Sequence, residues 1–132
     1  LTPHPGELGR LLGLSTAAVQ AQRRELAVRF AAEQGVIVVL KGHGTLVTDG
    51  QRVFINPTGN PGMATGGAGD VLTGLIAALL GQRLDPFAAA RLGVFVHGRA
   101  GDLACDAVGE VALTASDLLD HLPAAWKERT IK

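Results

Sequence analysis

The feature that most constrains this chain is the stretch NPTGNPGMATGGAGDVLTGLIAALL, residues 56–80. Five glycines precede a single acid, Asp70, and an apolar run follows that acid directly. A glycine-rich loop that runs into a helix exposes backbone N–H groups at the helix start, where the helix dipole adds positive potential. The stretch therefore predicts an anion-binding turn and a helix from about Asp70 to Leu80.

Gly66, Gly67, Ala68 and Gly69 are the residues expected to form the phosphate or anion hole. Glycine reaches positive φ without strain and has no Cβ to keep a ligand away from the backbone. No Gly-Lys-Ser or Gly-Lys-Thr follows, so the turn is not a P-loop, and its spacing differs from that of dinucleotide-binding glycines. The turn therefore predicts a phosphate site of another kind.

Asp70 admits two interpretations. A carboxylate repels phosphate, so its presence indicates a general base that takes a proton from a hydroxyl attacking phosphorus. The helix N-terminus would stabilise its ionised form. The alternative is an ordinary N-cap that serves only the helix. The preceding glycines favour the base, and the capping interpretation stays open at this point.

The remainder of the chain alternates helical and strand patterns, which predicts one α/β unit. Residues 1–7 read as a turn, and a short helix follows that Gly13 ends. Ser15 is expected to cap a long helix that runs to Gln34 and closes at Gly35. The run VIVVL, residues 36–40, predicts a buried parallel strand.

Three further elements are expected after that strand. Asp49-Gly50-Gln51 separates two apolar runs and predicts a hairpin. Asp85-Pro86 is a typical start of a helix, and the last helix is expected from near Ser116 into KERTIK at the C-terminal end.

Composition excludes several classes of partner. Twelve basic residues balance twelve acidic ones, so no basic field indicates nucleic acid or an anionic membrane. The longest apolar run is too short to span a bilayer. The single cysteine fits a reducing cytoplasm, and no Cys and His spacing predicts a metal site, so no side chain is assigned as a metal ligand.

Four motifs occur in a familiar order: LTPHPGE (1–7), LKGHGT (40–45), the loop through Asp70, and GVFVHGRAGDLA (93–104). Together they resemble the ribokinase-like superfamily and, within it, the ADP-dependent NAD(P)H-hydrate dehydratases of the YjeF C-terminal, carbohydrate-kinase type. The resemblance implies a three-layer α/β/α domain. Residues 1–132 would then be the C-terminal part of such a domain, without its N-terminal part.

The resemblance also implies a reaction and its residues. Family members phosphorylate hydrated NADH or NADPH with ADP and then eliminate phosphate, which repairs the cofactor, and Mg²⁺ is expected for phosphoryl transfer. Asp70 would be the base on the hydroxyl, and His4 would contact the hydrate. Asn60 would support the loop. The nucleotide would contact Lys41, Gly42, His43, Gly44, Thr45 and Gly69.

Local patterns leave simpler interpretations beside these roles. Lys41 at a strand end could extend into water, and the glycines around His43 could form a plain turn. His4, between two prolines, could be an ordinary surface histidine.

Three functions remain in competition at this stage. The first is the hydrate dehydratase, expected as a cytoplasmic homo-oligomer with a fused or separate epimerase domain. The second is a ribokinase-like kinase of a vitamin precursor or sugar, which would leave the phosphate on its product. The third is a non-catalytic nucleotide-binding fragment.

Overall fold

The computed structural model describes residues 1–128 of the chain. The chain divides into two units, Leu1–Asn56 and Pro57–Lys132. The first unit holds three helices and a three-stranded sheet. From Pro57 to Glu128 the second unit is built from helices and the turns between them.

Three helices open the first unit: α1 Pro5–Leu12, α2 Thr16–Ala21 and α3 Arg23–Gln34. The expected turn over residues 1–7 is shorter than predicted because α1 begins at Pro5, whose ring suits the first helical position. The single helix expected from Ser15 to Gln34 is interrupted at Gln22, where φ is −135°. Ser15 therefore caps only α2, through the Ala18 N–H.

Gly13 and Gly35 end α1 and α3 as predicted. Both adopt the left-handed conformation, with φ of 69° and 63°. Their N–H groups bond back to carbonyls of the last helical turn, which satisfies groups that the helix leaves unpaired.

The sheet has the order β1-β2-β3, with β1 Val38–Leu40, β2 Leu46–Thr48 and β3 Val53–Ile55. Both pairings are antiparallel. The strand expected at 36–40 is buried, as predicted, but it runs antiparallel to β2 and not parallel to it. On its other side, β1 makes parallel-type backbone bonds with residues 1–3. The Leu1 N–H donates to the Ile37 carbonyl at 2.8 Å, and the Val39 and Lys41 N–H groups donate to the Leu1 and Pro3 carbonyls at 2.8 and 2.9 Å.

The hairpin between β2 and β3 is confirmed, and its turn needs glycine for two reasons. Gly50 has φ of 94°, and a Cβ there would lie 2.7 Å from the backbone of Ala32. The turn therefore packs directly on α3. The helices and strands of this unit share one buried cluster made of Leu8, Val19, Leu26, Ala27, Ala31, Val38, Leu40 and Leu46.

The second unit contains a 3₁₀ turn at Pro61–Met63, then α4 Ala68–Gly81, α5 Pro86–Val108 and α6 Ala115–Glu128. The predicted starts of α5 and α6 are confirmed, and Asp85 caps α5 by accepting from the Ala88 N–H at 3.1 Å. The end of KERTIK, residues 129–132, lies outside the described residues.

Helix α5 is the centre of the second unit. It packs against α4 and α6. One cluster joins Ala68 and Ala104 to Leu113 and Leu118, and another joins Val96 and Ala100 to Ala125. Within residues 1–128, no helix has the length and apolar character that crossing a membrane requires.

Candidate functional site

The glycine turn places Asp70 differently from an N-cap. Helix α4 begins at Ala68, and its N-cap is Gly67, which has φ of 89° and gives no side-chain capping bond. Asp70 is thus the third residue of the helix and is exposed. The ordinary N-cap interpretation of Asp70 is therefore wrong, and its carboxylate stands in the first turn, where the helix dipole favours negative charge.

The four residues of the expected anion hole differ in their surroundings. Gly66 and Gly67 are exposed, and space around Gly66 is open. Ala68 is buried in the cluster with Leu113 and Leu118, and its N–H lies 3.3 Å from the Thr65 carbonyl. Gly69 lies in the first helical turn, where N–H groups have no intrahelical acceptor. The backbone of Gly66 and Gly67 is thus open to solvent, whereas Ala68 is packed in the core.

His97 of α5 holds the start of α4. Its Nε2 lies 2.9 Å from the Ala68 carbonyl, and its ring is buried. Because a carbonyl only accepts, Nε2 carries the proton in this contact. This histidine is a buried residue whose ring nitrogen has a hydrogen-bond partner.

The loop before the turn is also fixed to α5. Thr58 Oγ1 donates to the Phe95 carbonyl at 2.9 Å. Asp102 accepts from the Gly59 N–H and from Asn60 Nδ2, both at 3.1 Å, and Asn60 Oδ1 accepts from the Gly62 N–H at 3.0 Å. Asn60 lies in the loop as predicted.

Sequence reasoning did not single out Asp102. A signal was present in Gly98 and Gly101, four residues and one residue before it. A Cβ at Gly98 would overlap Thr58, and one at Gly101 would overlap Met63. Small residues at this spacing indicate a helix face that another segment approaches closely, so a carboxylate beside them is well placed to receive that segment's donors.

In the first unit, the segment Lys41, Gly42, His43, Gly44, Thr45 leaves the end of β1. Gly42 and Gly44 have φ of 128° and 63°, and Thr45 Oγ1 donates to the Gly42 carbonyl at 3.1 Å. His43 is exposed. The segment is a tight glycine turn, and its nucleotide contacts stay a prediction.

Arg23 supports this segment and was not anticipated. Its Nη1 donates to the Lys41 carbonyl and its Nη2 to the Leu40 carbonyl, both at 3.2 Å. Burial lowers the pKa of the Arg23 guanidinium. A Cβ at Gly42 would lie 3.0 Å from Nη1, so the glycine leaves room for this contact. No sequence motif marks an arginine at a helix start as a partner for a distant strand end.

His4 is the N-cap of α1 and forms a capping box with Glu7. Its Nδ1 accepts from the Glu7 N–H at 3.2 Å, and Glu7 Oε2 accepts from the His4 N–H at 2.7 Å. That backbone hydrogen bond is the main cause that lowers the pKa of Glu7. Because Nδ1 accepts, a neutral His4 ring carries its proton on Nε2, which lies 3.5 Å from Glu7 Oε1.

Within each unit, predicted site residues come together. The backbone bond between Lys41 and Pro3 brings the LTPHPGE and KGHGT motifs side by side at one end of β1. Asn60 and the turn 66–70 are both fixed on α5. Across residues 1–128 no group of three metal-ligating side chains occurs.

The arrangement of helices and strands in this chain matches that of solved ribokinase-like proteins. A solved ribokinase-like superfamily protein from Enterococcus faecalis supports this class, with a TM-score of 0.76 and 35% identity over 96% of this chain and 43% of that one. The family model described as NAD(P)H-hydrate dehydratase matches residues 1–124. The chain belongs to this carbohydrate-kinase type family, which confirms the predicted membership and fold class.

Two relatives are especially similar. The bifunctional NAD(P)H-hydrate repair enzyme of Moorella thermoacetica is 56% identical over 125 residues, which are 93% of this chain and 23% of that protein. The ADP/ATP-dependent NAD(P)H-hydrate dehydratase of Bacillus subtilis, co-crystallised with ATP and Mg²⁺, has a TM-score of 0.92 and 40% identity over 97% of this chain and 47% of that one. The chain thus spans about a quarter to a half of the length of these relatives.

Proposed function

We propose that the protein carrying this chain performs ADP-dependent dehydration of hydrated NADH and NADPH and thereby restores the reduced cofactor. The observation that carries the proposal is the family match over residues 1–124, joined to an exposed Asp70 in the first turn of a helix that starts at a glycine turn. Relatives named as NAD(P)H-hydrate repair enzymes and ADP-dependent dehydratases support the substrate class.

Asp70 acts as the general base in this mechanism. Its carboxylate accepts the proton of the hydrate hydroxyl as that oxygen forms a bond to the terminal phosphorus of ADP, and the bond from phosphorus to AMP breaks. In the second step the carbon–oxygen bond breaks and phosphate leaves with the electron pair. The neighbouring carbon then loses a proton, which restores the double bond. The first-turn position supports this role because it leaves the Asp70 side chain exposed directly beside the glycine turn.

Backbone N–H groups supply the phosphate contacts. Gly66, Gly67 and Gly69 carry no Cβ between ligand and backbone, and Ala68 anchors the turn to the core. The nucleotide contacts Lys41, Gly42, His43, Gly44 and Thr45 along with Gly69. His4 contacts the hydrate, and Asn60 supports the loop.

Magnesium would be held mainly by the nucleotide phosphates and water, which are its usual ligands, and it would neutralise the charge of those phosphates. The Bacillus subtilis structure that was co-crystallised with ATP and Mg²⁺ supports the same pair of ligands here. The name "bifunctional" on several relatives supports an epimerase domain, fused or separate, as a partner. A cytoplasmic location and a homo-oligomer remain predictions.

The test measures the full-length protein with hydrated NADH, ADP and Mg²⁺, and follows the absorbance of the restored dihydronicotinamide together with phosphate release. Asp70→Asn keeps the shape of the side chain but removes the base, so the rate falls at least about a hundredfold. The matched control is Asp85→Asn, because Asp85 is also an exposed aspartate at a helix start and asparagine still caps.

The outcomes separate the competing functions. Full activity in Asp70→Asn contradicts the mechanism. Phosphate that stays on a product alcohol indicates a small-molecule kinase instead. Nucleotide binding without turnover in the unsubstituted protein indicates a non-catalytic nucleotide-binding protein.

A further inference from the structure

The loop before the glycine turn is attached to one helix by a carboxylate that the proposed mechanism does not use. Asp102 of α5 accepts two hydrogen bonds, from the Gly59 N–H and from Asn60 Nδ2, each at 3.1 Å. Asp102 is half-buried. Hydrogen bonds to a charged acceptor are stronger than neutral ones, so two donors on one carboxylate make a firm attachment.

Asn60 connects Asp102 to the 3₁₀ turn that follows it in the chain. Its amide oxygen accepts from the Gly62 N–H at 3.0 Å and caps the 3₁₀ turn Pro61–Met63. The amide thus uses its donor side on Asp102 and its acceptor side on the loop. Both sides are committed, so the side chain has one orientation that satisfies both partners.

The glycine turn itself lies between two attachments to α5. On its N-terminal side, Asn60 and Met63 lie against Asp102 and Gly101. On its C-terminal side, the Ala68 carbonyl lies 2.9 Å from His97 Nε2. Residues 64–67 therefore bridge two fixed points on the same helix, and the direction of their N–H groups depends on where each point is held.

We propose that Asp102 is a positioning residue for the phosphate-binding turn, acting through Asn60 and the Gly59 N–H and touching neither nucleotide nor hydrate. This inference rests on the proposed function, because the turn is taken to hold the transferred phosphate. Phosphoryl transfer depends mainly on placement of the phosphate, so a loosened turn lowers the rate more than it weakens binding of the nucleotide.

A reciprocal exchange of the two side chains tests this inference. Asp102→Asn alone leaves an amide facing the Asn60 amide, which removes the charged acceptor. Asn60→Asp alone turns two carboxylates toward each other, so each single variant weakens or breaks the contact. In the double variant, the new amide on α5 accepts from the Gly59 N–H and donates to the new carboxylate in the loop. That carboxylate still accepts from the Gly62 N–H, so all three hydrogen bonds return and the net charge equals that of the original protein.

We expect each single variant to lower kcat at least about tenfold, with a smaller change in the KM for ADP, and the double variant to recover most of that loss. Asp106→Asn is the matched control, because Asp106 is an exposed aspartate one turn further along α5. It should leave kcat and KM unchanged.

Backbone amide exchange of residues 64–69 gives a second readout that does not need activity. Exchange should quicken in both single variants, return in the double variant, and stay unchanged in Asp106→Asn. If the unsubstituted protein shows no hydrate dehydration, the proposed function fails, and the exchange pattern still decides the positioning role.

Three results would overturn the inference. One is a lower melting temperature in the single variants with unaltered kcat and unaltered exchange. The second is a folded double variant that stays as slow as the singles, since that result assigns the effect to the location of the charge. The third is a loss in Asp106→Asn equal to that in Asp102→Asn. If Asp102→Asn does not fold, Asn60→Asp and the double variant still provide the comparison.

Discussion

The imidazole ring of His4 combines a structural contact with a proposed substrate contact. Its Nδ1 caps α1, and the residue is exposed. Asparagine is an efficient N-cap but has no imidazole, whereas alanine has neither property. Substitution by each of the two therefore separates the tasks.

We predict that His4→Ala lowers the free energy of unfolding by about 1 kcal/mol, whereas His4→Asn leaves it nearly unchanged. Both variants should raise the KM for the hydrate. Chemical denaturation and steady-state kinetics measure the two effects. A normal KM in His4→Asn would show that the histidine serves only the helix.

Arg23 offers a similar separation at the nucleotide segment. Arg23 donates hydrogen bonds to the carbonyls of Leu40 and Lys41. Substitution of Arg23 therefore frees the backbone of segment 41–45 and leaves the side chains of that segment unchanged. We predict that Arg23→Met raises the KM for ADP by about tenfold, which corresponds to about 1.4 kcal/mol of lost orientation.

Arg24→Met is the control for this prediction, since the neighbouring Arg24 is exposed on the same helix. An equal rise in both variants would point to a general effect of charge. An unchanged KM in Arg23→Met would mean that the backbone of 41–45 holds its shape unaided.

The residue scale also shows what the sequence can and cannot predict. The sequence indicated Asp70 and the glycines, because a glycine-rich loop directly before an acid is a pattern of neighbouring residues. The family resemblance implied Asn60. Gly98 and Gly101 mark the helix face beside Asp102, but no local pattern identifies its partners about 40 positions away. Nothing in the sequence marks Arg23, whose partners lie about 20 positions away. The capping box of His4 was readable in principle from a Glu three residues later.

At the scale of elements, the loop before the glycine turn can pack against α5 because glycines on this helix carry no Cβ. A Cβ at Gly98 would overlap Thr58 and lie 2.8 Å from the Thr58 carbonyl carbon. We predict that Gly98→Ala destabilises the protein by about 1–3 kcal/mol, because the backbone of the loop must move. Thermal or chemical unfolding measures the change.

Gly74 of α4 is the matched control, because it is exposed and its Cβ position is open. Gly74→Ala should stabilise the protein by up to about 1 kcal/mol, through helix propensity alone. The two Gly→Ala substitutions are thus expected to change the free energy of unfolding in opposite directions. Stabilisation by Gly98→Ala would contradict the close approach of Thr58 to Gly98.

The hairpin has a pH dependence of its own. Asp49 accepts from the Gln51 N–H at 2.9 Å and from the Arg52 N–H and Nε at 2.7 Å each. Bonding to the Arg52 backbone is the largest cause that lowers the pKa of Asp49 from 3.8 to about 2. Because the folded-state pKa is depressed, the stabilisation is full above the unfolded pKa and is lost as the pH falls through the folded one.

We therefore predict that the stability difference between the unsubstituted protein and Asp49→Asn is constant above about pH 5 and shrinks between about pH 4 and pH 2. Denaturant unfolding at a series of pH values measures this. A difference that grows on acidification would contradict the sign, and a flat one would mean that the pKa of Asp49 is the same in the folded and the unfolded protein.

Helix ends were predictable wherever a glycine or a capping side chain marks them, as at Gly13, Gly35 and Asp85. The break at Gln22 was not, because its cause is a backbone conformation that glutamine does not signal. The orientation of β1 was only half readable. A β-branched run shows burial, but the partner on each side is decided by tertiary pairing.

For the molecule as a whole, the proposed nucleotide segment at 41–45 and the proposed phosphate-binding turn at 66–69 can each be tested within its own unit. We predict that saturating ADP with Mg²⁺ slows amide exchange in both segments, because a bound phosphate engages backbone N–H groups. The turn after α5, where Val111 is fully exposed, should be unaffected and serves as the internal control. Protection of only one segment would remove the other from the nucleotide site.

The family assignment was also readable at this scale, because four motifs in order carry more information than any single turn. The chain spans about half of the length of the Bacillus subtilis dehydratase. Substrate specificity depends on contacts summed over a complete pocket, which is why it stays a proposal.

The ladder between residues 1–3 and β1 has a consequence for how such proteins can change over evolutionary time. Three backbone bonds lock the LTPHPGE and KGHGT motifs into a fixed offset, and a slip of one residue would turn every side chain of β1 to the opposite face. Insertions and deletions between the motifs should therefore accumulate in the helical excursion from Gly13 to Gly35. The pairing of residues 1–3 with residues 37–41 should stay invariant. The number of residues between the two motifs can therefore change while the motifs remain side by side.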